Sequence, residues 1–385
     1  MTTTTAGRLD ELSTYFAGRR EALIGSLARL VEIESPSDDS AAVSAVAAFV
    51  ADRLAERRVA AEAVPCAGRG NGLVARLGES RGGTLLLGHI DTVWPVGTLA
   101  ERPFRIENGV ATGPGVFDMK AGVAVAMDVL GAIAEGVVKP KAGVSLFLTP
   151  DEEIGSEASR DFFVEEALRR HRVFVLEPSG DGGAAKIARK GVGLVNAHFI
   201  GVASHAGLEP EKGASALVEL SRFVLFADAL GDRALGTSVV PTVAKAGTKA
   251  NVVPDSADVV VDFRVWTREE GDRVSTALAS YSAGNSRVKL QIEGGLNRPP
   301  MEPTTESLAL YERASSLARH LGFAMEAARV GGGSDGNLTA AAGVPTLDGL
   351  GPSGGGAHAR SEHLNVDDLP RRAALLAALL EEVVL

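Results

Sequence analysis

Residues 84–91 read TLLLGHID, and the class of fold follows from this stretch. A short apolar run, residues 84–87, is the length of a buried strand, and His89 and Asp91 follow at once in an H-x-D arrangement. The pattern recurs twice. Residues 143–148, GVSLFL, lead into Asp151-Glu152-Glu153, and residues 172–176, RVFVL, lead into Glu177. Between and before these strands the spacing predicts helices. Residues 122–134 are apolar on most faces and form a buried helix. Residues 9–33 form one helix that stops at Ser35-Pro36, and Asp38 or Asp39 caps a second that ends near Arg57. Strands alternating with helices imply an α/β fold, a largely parallel sheet covered on both faces. Such sheets place ligands beyond the carboxyl ends of their strands, where these three segments carry their acids and their histidine.

The middle of the chain has a different rhythm. Residues 192–202 alternate like a half-buried strand and 214–230 suit a helix. Residues 238–246 and 257–265 are strands parted by a turn at Pro254-Asp255, 272–281 is a helix, and 287–292 is a last strand. The order β-α-β-β-α-β is that of a ferredoxin-like sandwich. Residues 297–300, NRPP, then read as a return linker. A helix over 307–321, the glycine-rich loops GGGSDGN and GPSGGGAH, and an amphipathic helix over 370–385 complete the chain. At 385 residues the chain exceeds what one core supports. The expected domains are 1–188 and 298–385 together, with 189–297 inserted between them.

Composition excludes several classes of function. Lys plus Arg is 39 and Asp plus Glu is 49, a net charge of −10, which argues against a nucleic-acid partner. No apolar run reaches the roughly 18 residues of a membrane span. MTTTTAGRLDELSTYF lacks the basic and apolar regions of a secretory signal. Cys66 is the one cysteine, which rules out a disulfide within the chain and fits a cytoplasmic location. As a nucleophile Cys66 lacks a neighbouring histidine.

The acids and histidines carry the chemistry. Three acids in a row at residues 151–153 repel one another unless cations or water neutralise them. Glu177 follows an apolar strand, where an unpaired charge is costly. Asp118 stands where Gly113-Pro114-Gly115 runs into the buried helix, and the spacing of neither common nucleotide-binding glycine motif is present. His358 lies in a glycine-rich loop that lets the backbone approach other strand ends. Singly, each has a plainer reading: a hydrogen-bonded strand-end histidine, a helix cap, a solvated loop, an exposed loop histidine. Together they supply two imidazoles and three carboxylates, a set that holds two divalent cations if one carboxylate bridges. Asp118, Glu153, Glu177 and a hydroxide then balance the cations' charge.

GHIDTV, GPGVFDMKAG, TPDEEIGS, ASHAG, ANVVPDSADVVVDFR, GGGSDGN and GAHARSEH, in that order, resemble the dizinc metallopeptidase family that includes glutamate carboxypeptidase, acetylornithine deacetylase and succinyl-diaminopimelate desuccinylase. The likeness is nearest to the glutamate carboxypeptidase branch. It implies a zinc-peptidase-like mixed sheet sandwiched by helices, with an inserted ferredoxin-like domain that serves as lid and dimer interface. On the matching positions, His89 and Glu177 would hold one Zn2+, Glu153 and His358 the other, and Asp118 would bridge them; such ligands also accept Co2+ or Mn2+. Asp91 would orient His89, and Glu152 would be the general base for a water lying between the cations. His205 would reach the active site of the partner in a homodimer. Asn251 and Arg264 would bind substrate, and Lys186 and Arg298 fall near positions that receive substrate carboxylates. Two departures stand out. Met119 occupies a position where the family often has a second aspartate, preceded by a cis peptide, so the state of the Asp118–Met119 bond is open. The segment from Glu177 to Lys186 differs in length, which leaves the role of Lys186 open.

The implied activity is hydrolysis of the amide bond to a C-terminal amino acid with a free carboxylate, as in a glutamate carboxypeptidase-like exopeptidase acting on small peptides. The alternative is an N-acyl amino acid deacylase of the acetylornithine deacetylase or aminoacylase type. A non-catalytic amino-acid-binding protein is a remote third reading, against which Glu152 beside Glu153 speaks, because structural zinc sites are closed by protein ligands.

Overall fold

The structure, a computed structural model, describes residues 5–382. The chain divides into two compact units, one made of residues up to 188, 303–330 and from 334 onward, the other of 189–302 and 331–333.

In the first unit the N-terminal segment is two helices, α1 (Thr5–Gly18) and α2 (Arg20–Glu32), where the sequence suggested one. Arg19 sits between them at φ −93° and ψ 0°, and its N–H donates to Phe16 O. Gly18 is a weak helix former, and the break directs the Arg19 guanidinium to Asp128, 2.6 Å away. Helix α3 (Ser40–Glu56) is capped by Asp39, which accepts the N–H groups of Ala41 and Ala42.

The sheet contains β1 (Ala61–Val64), β2 (Gly72–Leu77), β3 (Thr84–His89), β4 (Val144–Thr149), β5 (Arg172–Val175) and the short strand Thr346–Leu347. Their spatial order is β1-β2-β4-β3-β5 and then Thr346–Leu347. From β4 onward the neighbours are parallel; β1 and β2 form an antiparallel margin. All six residues of β3 and of β4 are buried, as strands covered on both faces must be. The register sets His89 opposite Thr149 and Leu87 opposite Val175, so β3, β4 and β5 release their following loops at one level. Helix α4 (Ala121–Ala134) covers this sheet and approaches closely at Gly122, where a Cβ would come within 2.1 Å of Leu176 O. The closing helix Asp368–Leu380 is more deeply buried than the expected amphipathic pattern implies: eleven of its thirteen residues are buried. Its one buried arginine, Arg372, is matched by Asp368 and by Gly183 O. Residues 383–385 of the expected helix lie outside the described residues.

The second unit comprises β6 (Gly191–Ile200), α5 (Ala216–Asp228), β7 (Ser238–Ala246), β8 (Ser256–Val265), α6 (Arg268–Ala279) and β9 (Lys289–Arg298). The strands form an antiparallel sheet ordered β7-β8-β6-β9, the ferredoxin-like arrangement. Val195, Ala197 and Phe199 alternate toward the helices with Val259, Val261 and Phe263. Gly193 is required opposite Phe263, whose ring would meet a Cβ at 2.0 Å. Asn297 and Arg298 belong to β9, not to a linker: Arg298 pairs with Val192, and Met301 exchanges backbone hydrogen bonds with Arg189. The strand stops where Pro299 and Pro300 remove the N–H donors. Among the described residues no helix is long and apolar enough to cross a membrane.

Candidate metal centre

His89 is the last residue of β3, Glu152 and Glu153 begin the turn after β4, and Glu177 follows β5. Asp118 approaches from the irregular turn Val116–Lys120 that leads into α4. His358 adopts a left-handed backbone, φ 60°, two residues after Gly356 at φ 71°. These segments meet. Asp118 Oδ1 lies 3.2 Å from His89 Nε2, which is 3.4 Å from Glu177 Oε1. Asp118 Oδ2 lies 3.4 Å from His358 Nε2, which is 3.0 Å from Glu153 Oε2. Each oxygen of one carboxylate therefore faces its own histidine, and each histidine meets its own glutamate. Ligand atoms of His89, Glu152 and Glu177 also fall within 4.8 Å of one another.

The Asp118–Met119 peptide is cis. Met119 fills its position with sulfur chemistry instead of charge, its Sδ accepting the His89 N–H at 3.2 Å. Gly88 makes room, since a Cβ there would come within 2.6 Å of the Met119 methyl.

Asp91 is buried and does more than face His89. Its carboxylate accepts the Ser37 hydroxyl at 2.6 Å and the N–H groups of Glu152 and Glu153 at 3.1 Å each. Asp91 Oδ1 is 3.4 Å from His89 Nδ1, whereas the Asp91 carbonyl is nearer, at 3.0 Å. The ring tautomer is thus set first by a backbone carbonyl.

The charges are strongly coupled. Burial opposes ionisation of Asp118, yet His358 and His89 hold its carboxyl well below the usual range. Burial pushes Glu153 up to about 7. Asp118 and Glu153 push the His358 imidazole up to about 10. Burial draws His89 down, but Asp118, Asp91 and Glu177 raise it well above its ordinary value.

These residues suit divalent cations. Tetrahedral ligands about 2.0–2.1 Å from zinc stand about 3.3–3.4 Å apart, close to the separations of 3.0–3.4 Å between the imidazole nitrogens and carboxylate oxygens. Glu153 Oε1 is buried without a hydrogen-bond partner among the described residues, an expensive state for an acceptor unless it has another partner.

Residues 85–382 match Peptidase family M20/M25/M40. The chain belongs to this family. It is a metal-dependent hydrolase. Carboxypeptidase G2 of Pseudomonas sp. (strain RS-16) is 32% identical over 373 residues, covering 94% of this chain and 89% of that protein. Succinyl-diaminopimelate desuccinylase of Alkalilimnicola ehrlichii is 28% identical over 343 residues, covering 82% and 88%. Among solved structures, aminopeptidase PepT of Bacillus cereus superposes with a TM-score of 0.79 at 22% identity, over 94% of this chain and 98% of that one. An M20 metallo-carboxypeptidase of Sulfolobus solfataricus superposes at 0.74 with 16% identity, over 94% and 99%.

The remaining candidates of this M20 family member stand on other segments of the chain. Lys186 is half-buried in the strand Ala185–Arg189, its backbone paired with Asp348. His205, Asn251, Arg264 and Arg298 belong to the second unit. His205 Nδ1 accepts the N–H groups of Gly207 and Leu208 at 3.1 Å each, so the neutral ring carries its proton on Nε2. The Asn251 carbonyl accepts the Ala206 N–H at 2.9 Å, which brings Asn251 beside His205. Arg264 and Arg298 both pair with Val192 and stand level across the sheet. The Arg264 fork is filled by Asp262, at 2.9 Å and 2.8 Å.

Two residues of the centre escaped the sequence reading. Ser37, beside Pro36, reaches Asp91. Glu362 is buried and accepts the Trp94 indole N–H and the backbone N–H groups of Gly115, Phe117 and Asp118. Its place four residues after His358 was the available signal.

Proposed function

We propose that this enzyme is a two-zinc exopeptidase that cleaves the amide bond to a C-terminal amino acid with a free carboxylate. The carrying observation is Asp118, whose two oxygens face separate histidine–glutamate pairs. His89 and Glu177 hold one cation, Glu153 and His358 the other, and Asp118 serves both; Co2+ or Mn2+ can replace zinc. When bound, the cations polarise the scissile carbonyl and acidify the attacking water. Glu152, anchored through its own N–H to Asp91, takes the water's proton and passes it to the leaving amine. Asp91 holds His89 and the Glu152–Glu153 turn in one frame. His205 donates from Nε2 to the developing oxyanion, an interaction worth about 3 kcal/mol. Arg264 exchanges Asp262 for the substrate's α-carboxylate, and Arg298, Asn251 and Lys186 contribute to substrate binding.

His205 acts across a homodimer formed through the inserted unit of a cytoplasmic enzyme. Support for the interface comes from apolar side chains left uncovered on α5 and on the edge strand β7: Leu225 is 72% exposed, Val218 47% and Val243 51%. The carboxypeptidase G2 likeness supports the carboxypeptidase reading. The desuccinylase relatives favour a second reading, removal of an acyl group from an amino acid. A panel of dipeptides and N-acyl amino acids, assayed with and without chelator for the released amino acid, separates the two. Preference for C-terminal glutamate selects the first, preference for acylated basic amino acids the second, and turnover that survives complete metal removal contradicts both.

A further inference from the structure

We propose that Glu362 is a positioning residue for the metal centre, setting the place of the Asp118 carboxylate through the peptide that carries it. The proposal rests on the two-cation reading above and adds a residue outside the ligand set. Four donors converge on this one buried carboxylate. Oε1 accepts the N–H groups of Phe117 at 2.9 Å and Asp118 at 3.1 Å, and Oε2 accepts Gly115 N–H at 2.9 Å and the Trp94 indole at 2.8 Å. Glu362 is 1% exposed, so these donors replace water in full. A carboxylate buried so completely is tolerable only with such saturation. Lys120, also buried, bears electrostatically on the same carboxylate, although burial draws its ammonium down to about 7.

The donors come from different segments. Trp94 lies beyond β3 and His89, the turn from Gly115 to Asp118 precedes α4, and Glu362 itself lies four residues after His358. In the turn that separates them, Glu362 N–H donates to Ala359 O and Ala359 N–H to Gly356 O. One side chain thus ties the Asp118 turn to the loop that carries His358 and to the segment that follows His89. Each cation would draw on Asp118, so a shift of this turn disturbs both halves of the cluster. The spacing of the donors also excludes an amide as an equivalent: glutamine would accept two of the four N–H groups and point its own NH2 at the other two.

The test compares the full-length protein with Glu362→Gln and Glu362→Asp. The second variant keeps the charge but draws it back by one methylene, and it remains informative if the first fails to fold. Glu166→Gln is the control: Glu166 is a buried acid of the same unit that holds Arg76 and Arg170. Zinc affinity is read by competition with a chromophoric chelator, and the Co2+-loaded proteins are compared by visible absorption, with folding followed by circular dichroism. The expected result is two zinc ions per wild-type chain and a loss of affinity of about 10- to 100-fold in the folded Glu362 variants, with altered Co2+ bands. The control loses thermal stability and keeps wild-type affinity and bands. Wild-type affinity and spectrum in the Glu362 variants, with two ions still bound by the wild type, would overturn the role of Glu362 alone. An equal loss in Glu166→Gln would overturn it as well, by reducing it to general stability. Failure of the wild type to bind two ions would overturn the underlying two-cation reading together with this one.

Discussion

Glu152 and Glu153 are neighbours in the chain with different surroundings. Asp91 accepts both backbone N–H groups, but Glu153 turns Oε2 to His358 and leaves Oε1 buried without a hydrogen-bond partner among the described residues, whereas the Glu152 carboxylate lies near His89 and Glu177. Glu152→Gln is therefore expected to keep its metal and lose about 10²–10⁴ in kcat, measured as turnover beside elemental analysis; near-normal kcat would remove it from the base role. At Arg264 the expectation has the opposite sign. Asp262 competes for the guanidinium, so Asp262→Asn should lower KM for carboxylate-bearing substrates with little change in kcat, while Arg264→Ala should raise KM. An unchanged KM in both variants would place the arginine outside the binding site. The acids after β4 and β5 were legible because charge directly after an apolar strand needs a partner. Glu362 was not, because its function resides in donors some 245 residues away in sequence.

Among the elements, the apolar strands β3, β4 and β5 and the buried helix α4 were read to within two residues, whereas β1 and β2 were not anticipated. Apolar runs such as residues 143–148 have few alternatives in an α/β chain. The break at Arg19 depends on a tertiary pair with Asp128, and the burial of the closing helix depends on its neighbours, so local spacing could report neither. The contact between α4 and the end of β5 gives a test at this scale. Gly122→Ala would drive a methyl into Leu176 O, the carbonyl just before Glu177. A destabilisation of about 1–3 kcal/mol is expected in chemical denaturation, together with weaker metal binding. Unchanged stability and affinity would mean that the helix yields without moving Glu177.

For the whole molecule, folding and cation uptake are linked. Metal-free, His358 is held protonated up to about 10 by Asp118 and Glu153, so a cation must expel that proton. Apparent affinity should therefore rise with pH up to about 10, where His358 loses its proton unaided, and zinc added to the apoprotein in weak buffer near neutrality should acidify the solution. A titration without proton release would contradict this charge arrangement. Stripping the metal should lower the thermal midpoint, because a ligand at about 1,000 times its dissociation constant contributes about 4 kcal/mol. The inserted ferredoxin-like unit was legible from its β-α-β-β-α-β order; its last strand was read short because the paired residues Asn297 and Arg298 directly precede two prolines.

His358 is the least sheltered of the side chains proposed as ligands, 54% exposed where His89 is 1% exposed. Water and small chelators would thus attack the cluster from one flank, and the ion gripped by His358 and Glu153 would be the first to escape. Slow dialysis against a weak chelator should pass through a half-loaded species, with the ion beside His89 and Glu177 as the long-lived tenant.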